Sequence, residues 1–200
     1  MNRFAGAALV GLALAGCAAP PRAPDAAASP DPAVLSRWIA SGRMAVAAGN
    51  EGGSGSFDWA QDGTTSRLDL RGPFGSGAMH LVVTPQALSL ADGSGRVLDT
   101  DLASADLRAR LGADLPWEQL RFWLLGLPAP GTEATVRDHD QVPWRTIEQA
   151  GWRLAYDSFA VVQGLNLPRR LSAEQGEVRV RVVIDEWRPG HAADPGEGRQ

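Results

Sequence analysis

The sequence predicts a mainly β fold of the α+β class, in which a curved antiparallel sheet carries a few helices across its concave side. Residues 56–90 and 145–185 alternate apolar and polar side chains, which is typical of strands with one buried face. Residues 102–127, between these two regions, have the spacing of amphipathic helices. About three short helices are available to cover eight or more strands, and an incomplete cover would leave an apolar cavity. A closed barrel or a tightly filled sandwich fits the same pattern.

The first sixteen residues have the composition of a secretion signal. Arg3 places one positive charge before an apolar run over residues 5–16. That run has about twelve residues, whereas a helix that spans a membrane needs roughly twenty. The small side chains of Ala15 and Gly16 suit a peptidase with a narrow cleavage site. Residues 1–16 are therefore predicted to be a signal peptide.

Leu14, Ala15, Gly16 and Cys17 end this run in an order that resembles the bacterial lipobox. The resemblance implies a diacylglycerol on the Cys17 sulfur, cleavage before Cys17 and an acyl chain on the new amine. Cys17 is the only cysteine, so a thioether would remove a lone thiol from an oxidising compartment. Residue 18 is not acidic, which in families like this favours the outer membrane over the inner one. The alternative is an ordinary secretion signal that happens to contain a cysteine.

Charge and composition divide the rest of the chain. The formal net charge is −4, all nineteen basic residues are arginines, and loss of residues 1–16 removes Arg3 and makes the charge −5. Without a basic run, a nucleic-acid partner is excluded. Residues 17–33 are predicted to be a flexible tether and residues 188–200 a disordered C-terminal tail. The length between them suits one domain over residues 34–187.

A short helix is predicted at the start of this domain, because Asp31 and Pro32 suit a capped first turn and residues 34, 35, 38 and 39 share one helical face. After Gly42 the period changes to two. Residues 52–56 are glycine-rich and are predicted to be a hairpin loop, and residues 92–95 a turn. The strands between these points have inward-facing side chains at Phe57, Trp59, Leu68, Leu70, Met79, Leu81, Val83, Leu88 and Leu90.

Two helical segments follow, over residues 102–111 and 116–125. The second places Leu120, Trp123, Leu124 and Leu127 on one side, and glycine or proline at positions 126, 128 and 130 ends it. Strands return over residues 145–149, 152–156 and 169–173, before a long final strand. In the final strand one face holds Val178, Val180, Val182 and Ile184, and the other holds Arg179, Arg181, Val183 and Asp185.

Few residues point to catalysis. His191 lies in the tail, His139 in a polar turn and His80 within a strand, so no pair has the spacing of metal ligands. The turn of residues 138–140 is better explained as a solvated loop than as a metal site. No Gly-x-Ser-x-Gly elbow occurs, and no pair of carboxylates can be nominated. The sequence therefore predicts a protein that is not an enzyme and has no catalytic residue, metal or cofactor.

Two apolar features remain. Most of the seven tryptophans fall at inward-facing positions, where core filling is the better interpretation for any single one. The loop of residues 72–77 contains Pro73, Phe74 and Gly75, and Pro73 suits the second position of a tight turn. Phe74 would then project from the loop tip, although folding back over the core explains it equally well.

Together these pieces resemble the LolB family of outer-membrane lipoproteins, from Trp38 to Trp187. Each piece alone is weak, but their order and spacing make the set specific. They are, in chain order, the lipobox with Cys17; Gly42-Arg43; Phe57-Asp58-Trp59 with Gln61 and Gly63; Leu70 leading to Gly72-Pro73-Phe74-Gly75; Leu115-Pro116; residues 120–128; Gln149-Ala150-Gly151-Trp152; Tyr156; Pro168-Arg169-Arg170-Leu171; and a valine-rich strand closing on Trp187.

The resemblance implies an open, incomplete antiparallel β-barrel with helices covering a hydrophobic cavity. It implies a monomer, lipid-anchored in the outer membrane and facing the periplasm. Such proteins accept acylated lipoproteins from the LolA–lipoprotein complex and place them in the inner leaflet of the outer membrane. The residues expected to line the cavity for acyl chains are Phe57, Trp59, Leu68, Leu70, Met79, Leu81, Leu88, Leu90, Trp123, Leu124, Trp152, Val180 and Val182.

The resemblance also implies a membrane-insertion loop. In the family, an apolar residue on a protruding loop is important for insertion, and the matching loop here is Pro73, Phe74 and Gly75. Many relatives have leucine where this chain has Phe74, which keeps the apolar character and changes the shape.

Two other functions fit a lipid-anchored mainly β domain. One is a structural lipoprotein subunit of an outer-membrane assembly complex, whose apolar sheet faces would be fully packed. The other is an anchored hydrolase, which would need polar groups converging in a pocket. An empty apolar cavity favours the receptor, and a filled core favours the structural subunit.

Overall fold

The computed structural model describes residues 32–72, 78–94, 96–98, 100–111 and 114–190. After a 3₁₀ turn at Pro32–Val34, six strands come first. They are β1 (Arg37–Ala48), β2 (Glu51–Asp62), β3 (Thr65–Arg71), β4 (Met79–Val83), β5 (Leu88–Asp92) and β6 (Val97–Leu98). Two helices follow, α1 (Thr100–Leu111) and α2 (Trp117–Leu124). The last five strands are β7 (Ala134–Asp138), β8 (Arg145–Gln149), β9 (Trp152–Val162), β10 (Leu165–Gln175) and β11 (Val178–Pro189).

All described strands belong to one antiparallel sheet in the order β6-β5-β4-β3-β2-β1-β11-β10-β9-β8-β7. Each half of the chain forms a meander, and the first and last long strands, β1 and β11, join the halves at the centre. The edge strands β6 and β7 do not pair with each other, so the barrel is open. The predicted fold class is confirmed: a mainly β structure of the α+β class, with helices inserted between the two meanders.

The inner face of the sheet follows the alternation in the sequence. In β3, Ser66, Leu68 and Leu70 are buried while the residues between them are half-buried or exposed. All inward residues predicted for β2 to β5 are buried, as are Val180, Val182 and Ile184 of β11. Together with Ala103 and Leu107 of α1 and residues 123–125 they form one apolar cluster. Removing this much apolar surface from water is the main driving force of the fold.

A β-bulge separates the two ends of β1. Its register against β11 shifts between Ser41 and Gly42, because Ser41 lies opposite Glu186 and Gly42 opposite Ile184. A Cβ atom on Gly42 would lie 2.1 Å from the carbonyl oxygen of Val183. Only glycine allows the two backbones to approach this closely, and the bulge increases the local twist that curls the sheet.

The predicted N-terminal helix is wrong beyond its first turn. Only Pro32–Val34 is helical, as a 3₁₀ turn, and β1 begins at Arg37. Trp38 is 1% exposed and packs against Trp59 and Trp187, with ring centroids 5.7 and 5.3 Å away. Strand pairing on both sides satisfies the backbone here, whereas so short a helix has little stability of its own.

The predicted hairpin loop over residues 52–56 is also wrong. These residues are part of β2, and the turn is at Gly49, whose φ is +58°, and Asn50. A Cβ on Gly52 would lie 2.4 Å from the carbonyl oxygen of Val46, so this glycine permits close strand approach instead of forming a turn.

The second meander extends further than the sequence indicates. β9 continues six residues beyond the predicted end at Tyr156, and β10 begins at Leu165 instead of Arg169. Strand β7 was not predicted, because four of its five residues are exposed and no apolar alternation marks it. An edge strand needs backbone pairing on one side only, so its sequence carries little signal.

Candidate functional site

A small apolar cavity lies between helix α2 and the centre of the sheet. Its volume is about 40 Å³, and it reaches both meanders across the seam between β1 and β11. Side chains from α2 form one wall, and side chains from β1–β3 and β9–β11 form the other. The lining residues are Met44, Phe57, Trp59, Leu68, Trp117, Leu120, Trp123, Leu124, Leu154, Leu171, Ala173, Val180 and Val182.

The cavity is much smaller than a lipid chain requires. For comparison, an apolar cavity that binds a single benzene ring has a volume of about 150 Å³. The space of about 40 Å³ beneath α2 therefore holds no acyl chain as it stands. Most of the space between α2 and the sheet is filled by side chains, including those of Trp117, Leu120, Trp123 and Leu124.

The thirteen residues predicted to line the cavity all belong to the same buried cluster, but they divide into two groups. Those that line the cavity itself are Phe57, Trp59, Leu68, Trp123, Leu124, Val180 and Val182. Those buried elsewhere in the cluster are Leu70, Met79, Leu81, Leu88, Leu90 and Trp152.

Sequence reasoning missed six lining residues. Leu154 alternates with Trp152 in β9, and Leu120 shares the apolar side of α2 with Trp123, so both had a detectable signal. Met44 and Ala173 had a weaker sequence signal, because neither lies in a strongly apolar repeat. Trp117 lies at the start of α2, where the helical spacing alone does not show which way it faces. Leu171 completes the set.

The amide of Gln149 fastens the end of α2 to strand β8. Its Oε1 accepts the indole N–H of Trp123 at 2.8 Å and the backbone N–H of Ala129 at 2.8 Å. Its Nε2 donates to the carbonyl oxygens of Ala129 at 2.6 Å and Thr132 at 2.9 Å. Gln149 is buried, so these bonds satisfy an amide that would otherwise be costly to remove from water.

Two more side chains hold the same end of the helix. The Tyr156 hydroxyl donates to the carbonyl oxygen of Trp123 at 2.8 Å, and complete burial raises the pKa of Tyr156, which keeps this donor protonated. Arg145 donates to the carbonyl oxygen of Gly126 at 3.2 Å and pairs with Asp138 at 2.6 Å. The hydrogen bond from Arg145 lowers the pKa of the Asp138 carboxyl group. The C-terminal end of α2 is therefore fixed to the second meander.

The first meander has its own buried polar group beneath α2. Gln61 accepts from the Trp59 indole at 3.2 Å and from the Ser66 hydroxyl at 2.6 Å, and donates to the carbonyl oxygen of Gly63 at 3.0 Å. Arg121 of α2 donates to the same oxygen at 3.0 Å. Gln61, Gly63 and Gln149 are among the residues that carry the resemblance to the LolB family. In the structure they form hydrogen bonds around an apolar interior.

The histidines that the structure describes have local partners. His80 contacts Asp69 at 2.5 Å across β3 and β4, and His139 contacts the Thr146 hydroxyl at 3.0 Å. Within the described ranges, no group of three or more His, Cys, Asp or Glu residues is placed to hold a metal. In the same ranges, no helix is both long and apolar enough to span a membrane.

Several predicted functional residues lie outside the described residues. They are Cys17 and the other signal and tether residues up to position 31, the loop residues Pro73, Phe74 and Gly75, and the tail from residue 191 onward. Their proposed roles stay predictions.

Comparison with known proteins identifies sequence relatives of this chain. The profile of the family "Outer membrane lipoprotein LolB" matches residues 36–187. A relative from Alkalilimnicola ehrlichii, named outer-membrane lipoprotein LolB, is 39% identical over 152 residues, which cover 75% of this chain and 76% of the relative. One of the same name from a Marinomonas species is 30% identical over 175 residues, which cover 87% of this chain and 91% of that protein. A solved LolA superfamily protein from Nitrosomonas europaea aligns with a TM-score of 0.48 and 8% identity over 78% of this chain and 86% of its own. On the strength of its sequence relatives, the chain belongs to the LolB family of outer-membrane lipoproteins.

Proposed function

We propose that this protein receives acylated lipoproteins from the soluble periplasmic carrier LolA and inserts them into the inner leaflet of the outer membrane. Membership of the LolB family places it in lipoprotein localisation. The observation that supports acceptance of acyl chains is the cavity between α2 and the sheet, whose lining is apolar on every side. Acyl chains on Cys17 would hold the protein at the membrane and face this domain toward the periplasm.

The energetics of the cargo require such a receiver. One sixteen-carbon chain exposed to water costs on the order of 10 kcal/mol, at about 0.8 kcal/mol per methylene. A triacylated protein therefore cannot diffuse freely through the periplasm and must be sheltered until it reaches lipid. The periplasm has no ATP, so the transfer must run downhill by differential affinity. A receiver tethered to the bilayer also keeps its cavity at a high effective concentration beside the membrane.

The closed cavity must expand to accept a chain. Helix α2 is the element over the cavity, and it is fastened to the sheet by side-chain hydrogen bonds and apolar packing instead of strand pairing. Displacing α2 would enlarge the cavity without breaking the backbone ladder of the sheet. Energy lost from the packing of Trp117 and Leu120 would be offset by the apolar surface of the incoming chain.

The small volume of the cavity is also what the alternative function, a structural subunit of an outer-membrane complex, would predict. A transfer assay separates the two. The mature, lipid-anchored chain is reconstituted in vesicles and mixed with a soluble LolA–lipoprotein complex that carries a dye on the lipoprotein. Movement of the dye from the soluble fraction to the vesicle pellet measures transfer. We expect rapid transfer that depends on the protein. Transfer no faster than with empty vesicles would contradict the proposal.

A matched pair of variants tests the cavity itself. Ala173→Phe adds a ring to the cavity lining, whereas Ala47→Phe adds the same ring to an exposed position on the outer face. If acyl chains occupy the cavity, Ala173→Phe slows transfer and Ala47→Phe does not. Equal transfer by both variants would argue that the cargo binds elsewhere.

A further inference from the structure

A long hairpin extends beyond its neighbouring strands at one end of the sheet. It consists of the last part of β9 and the first part of β10, over residues 157–168. The ladder between β8 and β9 stops at Tyr156, and the ladder between β10 and β11 begins only at Arg170. Within the described sheet, residues 157–168 therefore form strand pairs only with each other, as a two-stranded ribbon.

The chain enters the domain at this same end of the sheet. The 3₁₀ turn at Pro32–Val34 lies against β10, and β1 begins just after it at Arg37. Because neighbouring strands are antiparallel, β2 ends here at Asp62 and β3 begins here at Thr65. We call this end, with the hairpin of residues 157–168, the tether end.

The length of the tether sets the distance between this end and the lipid anchor. Cys17 precedes Pro32 by fifteen residues. A flexible chain of that length spans roughly 20 Å on average. The twelve residues of β1 place the opposite end of the sheet roughly 40 Å further away. An anchor at Cys17 therefore holds the tether end closer to the bilayer than the opposite end.

The hairpin presents apolar and basic side chains to solvent. Val161 is 58% exposed near its tip, and Phe159 and Val162 are half-buried beside it. Arg169 and Arg170 are exposed at its base, and among the residues that the structure describes neither forms an ion pair. An exposed apolar side chain flanked by basic ones is typical of segments that lie on a membrane surface.

The charges around the hairpin favour an anionic surface. Asp157 is the only acidic residue in the hairpin, against the two arginines at its base. Elsewhere at the tether end, two carboxylates already pair with arginines. These charged residues are Arg37 with Asp62, Arg188 with Glu186, and Arg67, Arg121 and Glu118, which form no ion pair within the described ranges. Arginines thus outnumber carboxylates at this end, although the whole chain is acidic.

We propose that the hairpin of residues 157–168 is a membrane-contacting surface that binds anionic phospholipids. Arg169 and Arg170 contact the lipid phosphates, and Val161 enters the headgroup layer. The inference rests on the predicted anchor at Cys17 and not on lipoprotein transfer. The predicted insertion residue Phe74 lies between β3 and β4, whose junction is at the opposite end. A fully extended tether reaches about 50 Å, so that end can reach lipid in a second orientation.

The test compares two exposed valines at opposite ends of the sheet. Val97 in β6 is 63% exposed, which matches Val161, and pairs with Ala91 near the end of β5. Val161→Cys and Val97→Cys each provide one free thiol for an NBD dye, because the sulfur of Cys17 is blocked by lipid. The full lipid-anchored chain is placed in vesicles of phosphatidylethanolamine and phosphatidylglycerol that contain a doxyl-labelled quencher lipid. We expect strong quenching at position 161 and weak quenching at position 97. Equal quenching, or stronger quenching at position 97, would overturn the proposal.

The role of the arginines is tested in the Val161→Cys background. Each arginine near an anionic surface contributes about fivefold in binding, so Arg169→Ala and Arg170→Ala should each lower the ratio of docked to undocked protein about fivefold. Arg153→Ala removes an exposed arginine at the opposite end of β9 and should have no effect. Vesicles of phosphatidylcholine alone should abolish the difference between wild type and variants. Unchanged quenching in both arginine variants would show that they do not bind lipid.

A protein partner for the hairpin is the other outcome. If the dye at position 161 is not quenched by lipid but changes its emission when LolA is added, the surface binds protein and the lipid proposal is wrong. All substituted side chains in these experiments are exposed, so the variants should fold like the wild type. Transfer of lipoproteins is not measured, so a negative result here leaves the proposed function standing.

Discussion

Gln149 of β8 accepts the indole N–H of Trp123 in α2 at 2.8 Å, across 26 positions in the sequence. Both side chains are buried, and Trp123 lines the central cavity. One amide thus positions one of the two tryptophans of α2 and also holds the chain that leaves the helix.

Replacing Gln149 with leucine should destabilise the protein strongly. The change leaves the N–H groups of Trp123 and Ala129 and two carbonyl oxygens without their partner. Unpaired buried groups cost about 1–3 kcal/mol each, so we expect a loss of at least about 3 kcal/mol in the free energy of unfolding. Urea denaturation followed by tryptophan fluorescence measures it. Gln175→Leu, which removes one exposed bond to Ala150, should cost less than about 1 kcal/mol.

Gly42→Ala should destabilise the sheet by a steric mechanism. The new Cβ would lie 2.1 Å from the Val183 carbonyl oxygen, so β1 and β11 must separate at the bulge. We expect a loss of about 2–3 kcal/mol, measured by thermal or urea unfolding. Gly63→Ala is the control, because its φ is +56° but no atom lies within 4 Å of the new Cβ. It should cost only about 1 kcal/mol from backbone strain. Equal losses would show that the close approach is unimportant.

The mature protein should begin at Cys17 and carry acyl chains. This prediction is based on the order of residues 14–17 after a short apolar core. Mass spectrometry of the N-terminal peptide from native membranes measures both the cleavage site and the added mass. Cys17→Ser should leave the signal uncleaved and the protein without lipid. An unmodified cysteine in the wild type, or cleavage at another residue, would refute the assignment.

Phe74→Glu should block insertion without preventing folding or acceptance of cargo. Burial of an aromatic ring in lipid contributes about 2–3 kcal/mol, which is small beside the lipid anchor and suggests a local effect on the bilayer at the cavity mouth. In the vesicle assay we expect cargo to move from LolA to the variant, but its insertion to fall at least about tenfold. Phe74→Leu should retain insertion. If Phe74→Glu unfolds, the residue belongs to the core, and if it inserts normally, the loop has no such role.

The sequence pattern predicted the strands best where buried and solvent-exposed residues alternate without interruption. β3, β4 and β11 are such cases, and their inward residues were assigned correctly. The same method failed at Trp38, because four apolar residues near a proline fit a helix as well as a strand. It failed at residues 52–56 because glycine is common both in turns and where strands approach closely.

The sequence by itself determined which side chains of β2 to β5 face inward and which family the chain resembles, because apolar periodicity and residue order are local properties. It also identified the apolar side of α2. Only the tertiary structure decided that β1 pairs with β11, that Gln149 holds Trp123, and that the hairpin of β9 and β10 lies at the end where the chain enters the domain. These relationships join residues far apart in the chain, and they depend on sheet curvature and side-chain volume, which no local pattern encodes.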